Sequence, residues 1–156
     1  MRDSQLRFIR QLGVTTSNPD RNVYEGLMFQ PRVIACVTVL GIVVQSPWPF
    51  LILSAVLWCG TLIPSWNLFD AIYDHVVARA RNLPRLEIAP PPRRFAQAMA
   101  ATVTLLIGIA LLERALIGAW ILEGLLVAGV SAAVFGDFCG AAQLCTGLRR
   151  AVHSAR

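Results

Sequence analysis

Three apolar runs organise the chain: Val33–Pro64 and Phe95–Leu112, both free of charge, and Ala115–Gly136, whose one charge is Glu123. A helix that crosses a bilayer needs about 20 apolar residues. The second and third runs are each one such helix. The first is too long for one and carries Ser46-Pro47-Trp48-Pro49 in its middle, where proline breaks a helix interior. It therefore predicts two short helices that turn back on each other. The expected fold is an all-α membrane protein of four transmembrane helices in two hairpins, with spans at about 33–46, 48–64, 95–112 and 117–138.

Between the hairpins the pattern changes period. In "WNLFDAIYDHVVARA", Trp66, Phe69, Ile72, Tyr73, Val76, Val77 and Ala80 recur at helical spacing. This predicts an amphipathic helix over 66–82 lying on the cytoplasmic membrane surface. Asn67, Asp70 and Asp74 mark its polar face with His75 beside them. Two carboxylates without a third firm ligand rarely hold a metal, so the face reads as solvated and no metal is expected. "NLPRLEIAPPPRR" follows as a proline-stiffened linker. The chain thus divides into an N-terminal segment (1–28), a membrane domain (29–150) and a short tail (151–156). The N-terminal segment lacks the apolar stretch of a signal peptide.

Composition agrees with this reading: 56% of residues are hydrophobic and 15% charged, against about 25% charged in soluble domains. All 14 cationic residues are arginine, and thirteen of them fall in the N-terminal segment, the central segment and the tail, leaving only Arg114 in the two short turns. The positive-inside rule then places both termini on the cytoplasmic side of a bacterial inner membrane. No basic stripe with a nucleic-acid reading motif is present, so nucleic acid is not an expected partner.

Small residues supply a packing signal. Gly124, Ala128, Ala132, Gly136 and Gly140 recur every fourth residue, as do Ala96, Ala100, Thr104 and Gly108 one span earlier. Such rows let helix backbones approach closely in lipid, and the last two spans are expected to pack along them. Pro31-Arg32 and Pro92-Arg93 look alike as helix-start caps on the cytoplasmic side. Glu123 is the one carboxylate well inside a span, near the outer interface if Trp120 anchors the helix there.

Four cysteines remain, Cys36, Cys59, Cys139 and Cys145, all on the expected cytoplasmic side, where thiols stay reduced. Cys139 and Cys145 would point about 240° apart on one continuous helix and could meet only if Gly140 breaks it. They are either packing residues or candidate catalytic thiols, with Arg149 and Arg150 close in sequence.

"FQPRVIA", "PPRRFAQA" and the terminal "FC" over Phe29–Arg150 resemble an uncharacterised family of small bacterial membrane proteins, the domain of unknown function 4395. The resemblance implies a four-helix membrane fold and no established activity. Gln30 stands where that family usually has Asn, and Ala142 where it has a second cysteine. Two functions from different classes follow. One is a cytoplasm-facing thiol module, redox or sulfur-relay, serving a soluble sulfurtransferase or thioredoxin-like partner. The other is a non-catalytic subunit of a larger membrane complex. No nucleotide loop, Ser-His-Asp set or zinc-type spacing is present, and no cofactor is expected.

Overall fold

A computed structural model describes residues 2–14, 21–63, 65, 67–79 and 89–154. The elements are α1 (Asp3–Gln11), α2 (Arg21–Val44), α3 (Pro47–Leu62), α4 (Leu68–Ile72) running into a π-helical turn (Tyr73–Ala78), α5 (Pro91–Leu112), α6 (Leu116–Gly136) and α7 (Gly140–Ser154). Prolines set two of the starts: Pro47 opens α3 after an extended Ser46, and Pro91 opens α5 after an extended Pro90. Each fits because the first turn of a helix has no use for the missing N–H. Gln45, at φ 48, supplies the left-handed residue that reverses the chain between α2 and α3.

The expectation of four spans is overturned. Three helices, α2, α5 and α6, are long and apolar enough to cross a membrane, whereas α3 has 16 residues. At 1.5 Å per residue α3 is about 24 Å long, short of a hydrocarbon core of about 30 Å. The long first run divides unequally because α2 begins at Arg21, well ahead of the first uninterrupted apolar residue. Three crossings are an odd number, and an odd number leaves the termini on opposite sides of a bilayer. The placement of both termini in the cytoplasm, which required an even count, falls with the fourth span.

Two further expectations change. Pro31 lies inside α2, eleven residues along, so Pro31-Arg32 does not start a helix; proline is tolerated within membrane helices when neighbours satisfy the freed backbone. The central amphipathic helix is α-helical only over Leu68–Ile72 before it widens into the π-turn. Trp66 and Ala80, and most of the linker, lie outside the described residues. Of its apolar face, Phe69 and Tyr73 are buried while Ile72 and Val76 are exposed.

Packing in the bundle is closest between α3 and α5, which run antiparallel. A side chain on Gly108 would sit 2.6 Å from Leu51, and Ser54 Oγ donates to the Ala101 carbonyl at 2.8 Å. Gly41 of α2 gives room in the same way to the ring of Phe50. Each of α2, α3, α5 and α6 buries polar residues, among them Thr38, Ser54, Thr104 and Glu123. Ser54 and Thr104 spend their hydroxyls on backbone carbonyls, as buried hydroxyls in apolar surroundings must.

The N-terminal helix closes one end of the bundle. α1 is strongly amphipathic, and Phe8, Ile9 and Leu12 are buried with Leu27 and Met28 of α2, Ala133 of α6 and Ala142 of α7. Polar contacts fix its position. Asp137, left-handed at φ 51 after α6, accepts hydrogen bonds from Tyr24 and, at 2.7 Å, from Ser4 Oγ. The Cys139 backbone N–H donates to Gln11 Oε1 at 3.0 Å.

Candidate functional site

A cavity of about 550 Å³ lies among α2, α5, α6 and α7, lined also by Phe8 of α1 and by Leu12 just after it. That volume is within the range of small-molecule sites. Its existence follows from side-chain size. Ala96 and Ala100 of α5, Ala128 and Ala132 of α6 and Gly140 of α7 all line it, so residues from the two small rows border a shared space. The remaining members lie elsewhere. Gly108 packs on Leu51 of α3, Thr104 bonds its own helix, a side chain on Gly124 would meet nothing within 4 Å, and Gly136 has only Phe138 nearby.

The cavity is not closed off. Among its lining residues Met99 of α5, Leu125 of α6, Phe138, and Leu144 of α7 are exposed, and α5 and α6 are both of membrane length.

One end of the cavity is polar. Gln30 of α2, Arg93 and Gln97 of α5 are the polar residues there, and all three are buried. Arg93, expected as a helix-start cap reaching for the interface, is instead only 5% exposed. Its Nη2 forms an ion pair with Asp70 of α4 and donates to Gln30 Oε1 at 3.3 Å. Asp70 Oδ2 in turn accepts from Asn67 Nδ2 at 3.0 Å, while Asn67 Oδ1 caps α4 by accepting from the Phe69 N–H. The expected solvated face of this segment is therefore corrected at Asp70 and Asn67, which turn inward because a buried guanidinium needs a counter-ion. Gly60 makes the approach possible: a side chain there would lie 2.5 Å from Gln97 Nε2 and 3.1 Å from Asn67 Oδ1. Next along α5, Pro92 touches the space around Gly13, and Arg94 forks onto the Thr61 carbonyl at 2.8 and 3.2 Å.

Both of Arg93's hydrogen bonds use Nη2, and the buried side-chain atom left without a partner at this end, among the described residues, is an acceptor. Gln97 gives its Nε2 to the Leu57 carbonyl at 3.1 Å, leaving its buried Oε1 unbonded.

The model for a domain of unknown function, DUF4395, matches residues 25–150. The chain belongs to that family. A search of curated proteins and a search of solved structures find no match. The DUF4395 region begins inside α2 and ends inside α7. It therefore holds the cavity's four helical walls and its polar end, while α1, whose Phe8 also lines the cavity, lies outside it. The protein is an integral, multi-helix membrane protein.

The cysteines are distributed differently from the expectation of a pair. Cys139 follows the end of α6 by three residues and immediately precedes α7, and the Gln143 N–H bonds its carbonyl at 3.1 Å. Gly140 thus starts a new helix. Cys139 lines the cavity and packs against the cluster around Phe8 and Met28. Burial pushes its thiol pKa up, and the backbone N–H groups of Ala142 and Ala141, which pull it down, do not reverse that. Cys145 lies in α7, half-buried, and all four cysteines are free. The Arg149 and Arg150 side chains lie outside the described residues. Among the described residues no group of three or more His, Cys, Asp or Glu is placed to hold a metal.

Glu123 is buried at 4% exposure. Its Oε2 accepts from Gln45 Nε2 at 3.5 Å, and its Oε1 has no partner. The residues that sequence reasoning missed are Asn67, Asp70, Gln97 and Gln30 as one buried group. A signal for Gln97 existed, since it is the single amide in an otherwise apolar run.

Proposed function

We propose that this protein is a membrane-embedded binding module whose cavity takes a small lipid-soluble molecule from the bilayer. The observation that carries the reading is that the cavity is lined by exposed apolar residues, Met99 and Leu125, of α5 and α6, two helices of membrane length. A wall of alanine and glycine, with one polar end, favours an elongated apolar ligand with a polar head over a water-soluble substrate. The test is native mass spectrometry of protein extracted from its own membrane, comparing wild type with Ala132→Leu, which narrows the cavity. Wild type carries a bound small molecule and the variant loses it. Equal recovery from both, or none from either, refutes the reading.

A second reading, the thiol module, has one observation in its favour. Cys139 lines the cavity immediately before α7, although burial holds its thiol pKa up. In that reading Cys139 meets the cavity's contents, or a thioredoxin-like or sulfurtransferase partner, as a nucleophile. Trapping with an alkylating agent in cells, followed by peptide mass spectrometry, tests it: a persistently unmodified Cys139 argues for packing alone.

A further inference from the structure

One buried acceptor at the cavity's polar end has no donor, and that chemistry bears on the ligand's head. We propose that the occupant carries an uncharged hydroxyl, of an alcohol or a phenol, on an apolar body and donates it to Gln97 Oε1. This rests on the binding-module reading and specifies its ligand.

Among the described residues the buried side-chain atoms without a hydrogen-bond partner are Thr38 Oγ1, Gln97 Oε1 and Glu123 Oε1. Of these residues Gln97 alone lines the cavity. It is 2% exposed, and its amide is held in one orientation. The nitrogen donates to the Leu57 carbonyl at 3.1 Å, on the side of α3 where Gly60 leaves it room. A carbonyl only accepts, so an inverted amide would set two oxygens against each other, and the arm left over is the acceptor. A buried acceptor without a donor is costly, which favours a ligand that supplies an O–H over plain hydrocarbon and over an ether, whose oxygen has no hydrogen to give. Charge then discriminates among donors. An ammonium also donates, but Arg93 already brings a cation to this end, and Asp70 is paired with it. A second cation there would be uncompensated in an apolar space. A hydroxyl satisfies Gln97 without that charge. The Cys139 thiol, on the same cavity, gives a built-in reporter of occupancy.

The experiment uses the full chain at neutral pH in an amine-oxide detergent, which has no hydrogen-bond donor of its own. Two hydroxyl probes, oleyl alcohol and nonylphenol, are each compared with their own methyl ether, and oleylamine and octadecene complete the set. Binding is read by native mass spectrometry and by protection of Cys139 from a maleimide. The expected result is that at least one hydroxyl probe binds tenfold or more tighter than its ether, and tighter than the amine and octadecene. That preference disappears in Gln97→Met, which keeps the side chain's length without the acceptor. It persists in Thr38→Val, which removes an unpartnered hydroxyl away from the cavity lining. Comparison of the alcohol with the phenol then tells which hydroxyl source fits. Ethers that bind as tightly as both hydroxyl probes overturn the head-group assignment while leaving the cavity reading standing, and so does preferential binding of oleylamine or octadecene. A preference that survives in folded Gln97→Met, or is lost in folded Thr38→Val, overturns it as well. The comparison of hydroxyl with ether in wild type decides the matter if a variant does not fold. If no probe binds or protects, the cavity reading itself fails and takes this inference with it.

Discussion

Removing the carboxylate of Asp70 isolates a cation inside the bundle. Arg93 is 5% exposed and Asp70 17% by side chain, and the pair is supported by Gln30 and Asn67. Breaking a buried ion pair from one side typically costs about 3–5 kcal/mol, because the remaining charge stays desolvated and unpaired. At about 1.4 kcal/mol per factor of ten, Asp70→Ala should shift the folding equilibrium more than a hundredfold. Arg21 offers the contrast. It pairs with Glu25 one turn along α2 but is 82% exposed, and pairs of that kind contribute about 0.3–0.5 kcal/mol. Reversible unfolding in mixed micelles, followed by circular dichroism, measures both. The double variant Asp70→Leu with Arg93→Met should recover much of the loss, since an apolar pair of similar size does not carry the desolvation penalty. Comparable stability of Asp70→Ala and Arg21→Ala, or no recovery in the double variant, refutes the argument that Arg93 is held as a buried, paired charge.

Glycine substitutions separate packed from open positions in the same unfolding assay. Gly41→Ala places a methyl 2.7 Å from the fully buried Phe50 ring and should cost about 1–3 kcal/mol, whereas Gly124→Ala meets nothing within 4 Å and should be neutral or slightly stabilising. Ser4→Ala removes the 2.7 Å hydrogen bond to Asp137 and should cost about 0.5–1.5 kcal/mol, visible as faster proteolysis of α1. Burial raises the Cys139 pKa in the folded protein, so its alkylation should reach half-maximal rate at a pH above the roughly 8.5 of a free cysteine, and return to that value in denaturant. By linkage the folded state prefers the protonated thiol; this contribution is complete below the unfolded pKa and is lost as pH rises through the folded one.

Element type was legible from hydropathy, because lipid-facing helices announce themselves by long apolar runs. The helices at α5 and α6 fall within a few residues of their expected bounds. Length along the first run was not legible. α2 extends through "RNVYEGLMFQPR", a polar-looking segment that is helical because Tyr24, Leu27 and Met28 bury against α1, a tertiary contact that no local pattern encodes. The same reason hid the polar end of the cavity. Asp70 and Arg93 are 23 residues apart, and each alone resembles a surface charge. α7 was missed because its residues read as the continuation of the preceding span, from which the turn Asp137–Cys139, opened by the left-handed Asp137, separates it. The small rows were visible, but whether such a row closes on a neighbour or borders a cavity depends on what else fills the space. Here α3 takes the side of α5 that carries Gly108.

The attachment of α1 has a consequence for how the protein is made. Its contacts with the turn after α6 span 133 residues for Ser4–Asp137 and 128 for Gln11–Cys139. α1 leaves the ribosome ahead of the other described helices yet is among the last to complete its contacts. At a synthesis rate of about 5–20 residues per second, its apolar face waits on the order of 6–25 s for Asp137–Ala142 to appear. During that interval Phe8, Ile9 and Leu12 have only the Tyr24–Met28 part of their cluster and lack Ala133 and Ala142, and the bilayer interface is the natural place for so amphipathic a helix to rest. Closure of the bundle is then a late docking step from the membrane surface, and damage to the last helix should leave α1 stranded there while the three long helices are already inserted.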